Sequence, residues 1–251
     1  MALAKFKGGK IKEFFILAIF ILITTVTIVR CAPKPGHIPV NKYGLKIIRW
    51  KRTYLSITQL DTTKKMVLLS DYIQPLTKEW FYATTNNFTH QILYHHPDAY
   101  LRLPAALALQ KVADTLKRMN YGIKIFDAYR PYSVTEKMWQ IVPDDNYAAD
   151  PAKGSGHNRG IAVDLTLIDL KTGKELAMPT AFDNFTDSAH HNFMQLSDKI
   201  LANRALLKTT MEKYGFVALP TEWWHYSLPN PKEYDLLDLD FDDLKHLRSL
   251  R

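Results

Sequence analysis

The sequence predicts an α+β domain with a central, mainly antiparallel sheet flanked by helices, behind a short leader. Three observations lead there. Strand-like and helix-like segments are mixed without a regular strand–helix–strand alternation. "GIAVDLTLIDLKTGKELAM" reads as a hairpin with "KTGK" at its turn. A composition of 47% hydrophobic and 12% aromatic residues over 251 residues can bury a sizeable core and is too well mixed for disorder.

The leader comes first. "MALAKFKGGKIKEFF" carries Lys5, Lys7, Lys10 and Lys12, and Phe14 to Val29 carry no charge. Basic residues before about 16 apolar ones read as a secretory signal or a short N-terminal anchor over residues 1–31. Cleavage before Ala32, retention as an anchor and lipidation at Cys31 all stay open, although Arg30 fits a lipidation site poorly. Cys31 is the only cysteine, so the mature part has no disulfide, and any metal must be held by His, Asp or Glu.

The net charge is +8, of which the leader supplies +4. "LKIIRWKRTY" is locally basic and reads as a solvated or membrane-proximal face. No recognition motif accompanies it, so nucleic acid is not an expected partner.

Residues 32–65 read as a linker and N-terminal extension, opening with the Pro- and Gly-rich "APKPGHIPVNK". Extended segments are expected at "GLKIIRW" and "TYLSITQL". The main domain is expected over 66–251, without internal repeats. "PAALALQKVADTLKRMN" has apolar residues at helical spacing, Pro104 near its start and Gly122 after its end. "GIKIFDAY" reads as a strand. "SVTEKMWQIV" reads as a helix opened by a capping box from Ser133 to Glu136. "DKILANRALLKTTMEKYG" is a helix ending at Gly215. "FVALP" and "WHYSL" are short strands, and the acidic tail is a terminal helix or a frayed end.

Two segments suggest chemistry. In "GSGHNRGIAVDLTLID", Gly154, Gly156 and Gly160 bracket His157 and allow tight turns. The strand that follows has one plainly apolar face, Ile161, Val163, Leu165 and Leu167. Asp164 lies on the other. An unpaired buried carboxylate is costly, so Asp164 needs a partner. The bland alternative is a turn-stabilising Asp and a surface His.

In "LPTEWWHYSLP", Pro220 and Pro229 leave too little room for a helix. In a strand, positions three apart face opposite ways, so Glu222 and His225 share a site only if Glu222 sits in a turn before the strand. The alternative is an aromatic core strand with a satisfied His. Together the two segments offer His157, Asp164 and His225. Three protein ligands with one open position form the catalytic zinc pattern. Glu222 is left over where a general base is needed.

"FDAYRP", "SGHNRGIAVDLTL", "MPTAFDNF" and "EWWHY", in this order, resemble the D-alanyl-D-alanine dipeptidases of the VanX type. These belong to the zinc D,D-peptidase superfamily, which includes D,D-carboxypeptidases and the hedgehog signalling domain. "YATTNNFT" also resembles that family's N-terminal motif, and the likeness runs from about Met66 to about Pro231.

The resemblance implies one Zn2+ per chain, bound by His157, Asp164 and His225, with Glu222 as catalytic base. It implies that Arg130 stabilises the transition state and that Ser155 contacts substrate. Tyr82 and Asp127 would line the pocket, although Arg130 and Asp127 also read as a structural ion pair. Asp183 and His190 would support the site or fix its loop. The implied substrate is a small D-dipeptide. The same zinc site would serve a D,D-carboxypeptidase or peptidoglycan endopeptidase, or a non-catalytic zinc module.

Departures are the unmatched residues 32–65, "KGSGH" where the family often has a basic residue just before the Ser, and the leader. The leader implies export, to the periplasm or the outer face of the cytoplasmic membrane, and a role in cell-wall turnover or dipeptide scavenging.

Overall fold

A computed structural model describes residues 38–249, and the leader expected at 1–31 lies outside them. Residues from Ile38 onward belong to one compact unit. In chain order the strands are β1 Ile47–Ile48, β2 Met66–Leu68, β3 Thr77–Lys78, β4 Tyr100–Arg102, β5 Tyr121–Asp127, β6 Ala162–Asp169, β7 Val217–Ala218, β8 His225–Ser227 and β9 Leu236–Leu237. The helices are α1 Lys51–Leu60, α2 Leu103–Arg118, α3 Tyr132–Ile141, α4 Asp198–Lys213 and α5 Phe241–Ser249.

The main sheet has the order β3-β5-β6-β8-β7. Only β3–β5 is parallel, so the sheet is mainly antiparallel as expected. β2 pairs with β4, and β1 pairs in parallel with β9. Part of the expected linker thus forms β1, which joins the two ends of the described chain.

Two helices, α2 and α4, cover one face of the sheet. Leu109, Val112 and Leu116 recur at helical spacing on α2 and bury against Ile123 and Ile125 of β5 and Val163, Leu165 and Leu167 of β6. Leu207 and Met211 of α4 join the same core. Because strand side chains alternate, Asp164 points to the opposite face. A second core, with Tyr54 of α1, Tyr129, Met138 of α3 and Leu244 of α5, packs apart from the first.

Four local expectations change. "TYLSITQL" is helical within α1, not extended. Its Thr, Tyr and Ile residues favour strands locally, but Tyr54 and Thr58 bury one helical face, and packing overrides propensity. α2 ends at Arg118, the left-handed residue just beyond it is Asn120 with a φ of 65°, and Gly122 lies inside β5. The "KTGK" turn forms, but the return arm makes a single bridge, Ile168 to Glu175, before leaving the sheet.

The capping box is absent too. α3 starts at Tyr132, and its Ser133 N–H donates to Asp238 Oδ1 at 2.7 Å. The cap comes from a carboxylate 105 residues away instead of the local Glu136. Asp238→Ala should therefore lower stability by about 1 kcal/mol, the usual cost of a lost cap. Urea unfolding of the two proteins measures it.

Candidate active site

Asp164 lies directly opposite His225 in the antiparallel β6–β8 pair. Such partners share a face with Cβ atoms about 4.5–5.5 Å apart. His225 Nδ1 is 2.9 Å from Asp164 Oδ1. His157 reaches them from the loop before β6. Gly156 is required there, since a Cβ would lie 2.8 Å from the Ala162 Cβ and 2.9 Å from the Ser227 Oγ. Gly160 closes the loop at a φ of +70°.

The His157 ring is oriented by its backbone partner. Nδ1 lies 2.6 Å from the Ala128 carbonyl, which can only accept, so Nδ1 carries the hydrogen. Nε2 then turns a lone pair to His225 Nδ1 at 3.2 Å and Asp164 Oδ2 at 3.3 Å. The three donor atoms lie within 4.8 Å of one another, the one such cluster among the described residues.

The electrostatics favour a cation at this point. Burial works against charge on His225, but the Asp164 carboxylate outweighs it and raises the imidazole pKa. Burial would raise Asp164, yet His157 and His225 hold it well below the usual carboxylate range. Two imidazole nitrogens and a carboxylate facing one another are a fitting donor set for a divalent metal.

Glu222 does sit in the turn between β7 and β8. Its N–H donates to Leu219 O at 3.2 Å, and its carbonyl accepts from His225 N–H at 3.3 Å. Burial raises its carboxyl pKa, and His225 offsets this only in part. Trp224 walls the cleft and Trp223 braces it from behind, donating Nε1–H to Thr180 Oγ1 at 2.9 Å.

The cleft has a volume of 190 Å³ and is lined by Glu222, Arg130, Tyr82 and Ser155 together with His157, Asp164 and His225. Arg130 donates Nε–H and Nη2–H to Asp127 Oδ2 at 3.0 and 2.7 Å, and stacks over the Tyr82 ring at 5.2 Å. Arg130 thus lines the cleft with its guanidinium held from behind by Asp127.

Asp127 itself does not line the cleft. It is wholly buried, and Oδ1 accepts from Tyr94 O–H at 2.8 Å and Ala128 N–H at 2.9 Å. All its lone pairs point at protein donors, so the ion-pair reading holds and the pocket-lining one does not. A bulge between Ile125 and Asp127 puts it beside Asp164 while Arg130 neutralises it.

Some residues escaped the sequence reading. Asn158, fully buried, donates Nδ2–H to Arg130 O at 2.9 Å and Thr135 Oγ1 at 2.8 Å, and so ties the His157 loop to the arginine. Its place next to His157 was the only available sign. Asp145, Tyr147, Phe185 and Leu219 also reach the cleft.

Asp183 lines the cleft as well, which is more than loop fixing. It takes a φ of 57°, and its Oδ1 accepts from Tyr82 O–H at 3.1 Å. Its Oδ2 is buried without a partner, and burial followed by the Asp164 charge pushes its carboxyl well above the ordinary range. His190 stays outside the cleft, and its carbonyl fixes the loop.

A buried His–Asp–His cluster beside a carboxylate and an arginine in a small cleft defines a metal-dependent hydrolase site. Comparison gives the family. The family model described as D-ala-D-ala dipeptidase, peptidase M15, matches residues 62–243, and the chain belongs to that family. It is a peptidase.

The chain is 34% identical to a D-alanyl-D-alanine dipeptidase of Escherichia coli (strain K12), over 71% of this chain and 92% of that one. It is 31% identical to one of Enterococcus faecalis, over 61% of this chain and 87% of that one. Among solved structures, the LdcB LD-carboxypeptidase is similar at 17% identity and a TM-score of 0.42, covering 79% of this chain and 86% of that one. That superposition is too slight to bear on activity.

Breaking a buried ion pair by removing one partner costs about 3–5 kcal/mol. Asp127→Ala should destabilise the protein by that order, because it strands the Arg130 guanidinium. Chemical denaturation checks this, and the folded fraction should also lose turnover.

Proposed function

We propose that the protein hydrolyses D-Ala-D-Ala and related D-amino-acid dipeptides, with zinc held by His157, Asp164 and His225. The observation that carries this is the convergence of those three side chains within 4.8 Å in the cleft that Glu222 and Arg130 line. The bound ion would supply Lewis acidity, polarising a carbonyl and making water acidic enough to deprotonate near neutral pH.

The remaining steps belong to this chain's own residues. Glu222, with its pKa raised by burial, accepts a proton from the attacking water and returns one to the leaving amine. Arg130, aimed by Asp127, stabilises the developing oxyanion with its guanidinium. Asp183 offers its unpartnered Oδ2 to the substrate ammonium, a charge-assisted bond that offsets the cost of ionising a buried carboxyl. Ser155 and Tyr82 line the same cleft and bound the substrate. A volume of 190 Å³ is below the roughly 300–1,000 Å³ of drug-sized pockets, which suits a dipeptide better than a longer stem.

The leader supports a location outside the cytoplasmic membrane, free or anchored, and hence cell-wall turnover or dipeptide scavenging over action on a cytosolic pool. Among the described residues no helix is long and apolar enough to cross a membrane. Cell fractionation tests the location, and recovery in the cytosol would contradict it.

The enzymatic test is a panel of D-Ala-D-Ala, L-Ala-L-Ala and a pentapeptide stem on zinc-loaded protein. Only the D-dipeptide should turn over, and cleavage of the stem at a comparable rate would favour a carboxypeptidase. Glu222→Gln should lower kcat by about 10²- to 10⁴-fold while zinc content stays at one per chain. Near wild-type hydrolysis by that variant would refute the assigned base. Asp183→Asn should raise KM by about 10- to 100-fold, the worth of a hydrogen bond to a charged group, with a smaller effect on kcat.

A further inference from the structure

We propose that Arg204, on α4, is a positioning residue that sets the placement of Glu222 through the loop at 189–193. The inference rests on the proposed role of Glu222.

Arg204 is buried at 5% exposure, and among the described residues no carboxylate pairs with it. Its Nη1 donates to two main-chain carbonyls, His190 O at 2.9 Å and Phe193 O at 2.8 Å. Nη2 lies 3.8 Å from Met194 Sδ. A buried guanidinium without a counter-ion is costly, and here it is spent on one short loop.

That loop grips the Glu222 turn on both sides. The His191 N–H donates to Pro220 O at 2.9 Å, and Ala189 O accepts from Trp223 N–H at 3.1 Å. Pro220 and Trp223 flank Glu222 by two residues and one. The peptide carbonyl that Arg204 holds, His190 O, lies between the two residues that make those bonds. The path therefore runs from Arg204 to the 189–191 backbone, then to Pro220 and Trp223, then to Glu222.

The metal ligands do not depend on this path in the same way. Asp164 and His225 are held by the β6–β8 ladder, and His157 by Ala128 O. Loss of Arg204 should thus move the base relative to an intact donor set. A misplacement of about 1 Å can cost on the order of 100-fold in rate.

The test is steady-state kinetics of zinc-loaded Arg204→Leu and Arg204→Lys on D-Ala-D-Ala, beside wild type and Glu222→Gln. Arg204→Leu should lower kcat by about 10- to 100-fold, with KM within twofold and zinc at one per chain. Arg204→Ala, which leaves room for the ion, should lose kcat likewise, and millimolar guanidinium should restore part of it. Arg204→Lys, which keeps the charge but not the two-carbonyl fork, should fall between.

Wild-type kcat in either variant overturns the proposal. So does a loss in Arg204→Leu that appears in KM or zinc content and leaves kcat unchanged. If Arg204→Leu fails to fold, Arg204→Lys decides by the same kcat criterion. A wild-type protein without dipeptidase activity, or an active Glu222→Gln, would instead refute the functional reading on which the proposal stands.

Discussion

Asp164 and His225 face each other across the β6–β8 ladder, and the rest of the cleft is arranged around that register. A slip of one residue would turn either side chain into the helix-covered core. The apolar face of β6, with Val163, Leu165 and Leu167 packed on α2 and α4, prevents the slip. The hydrophobic core is therefore also what aligns the polar cluster. His157 joins through a loop that needs glycine at 156 for close approach and at 160 for its positive φ. Its ring orientation is set by a hydrogen bond to Ala128 O.

Four acids crowd in and behind the cleft with few counter-charges, and their surroundings sort them into three states. Asp127 is held by four hydrogen bonds, two of them from the Arg130 guanidinium that balances its charge. Asp164 stays ionised between two imidazoles. Burial raises both Glu222 and Asp183, which favours proton uptake by the first and a cation beside the second. Carboxylates whose environments separate their pKa values in this way can take distinct roles in one small site.

Much of this was legible in the sequence, and what was not has common physical causes. The parity of a strand placed Asp164 away from the apolar face, and the same parity required Glu222 to sit in a turn if it was to share a site with His225. Both are local rules. The register that brings His225 to Asp164 is set by packing across 61 residues, which no local pattern shows. The same distance hid the Asp238 cap of α3 and the helical state of α1, whose buried Tyr54 face outweighs its strand-forming composition. Asp127 misled because a buried, fully bonded acid and a pocket acid look alike in sequence. Asn158 and Arg204 were invisible for a related reason, since both act on backbone carbonyls and side-chain type does not reveal its backbone partners.

The central claim is that His157, Asp164 and His225 hold one metal ion in this cleft. Anomalous diffraction at the zinc edge, from crystals grown with zinc, tests it most directly. The expected result is one strong peak about 2.0–2.2 Å from nitrogen or oxygen atoms of these three side chains. A zinc-loaded crystal with no peak there, or with its one peak at other residues, would contradict it.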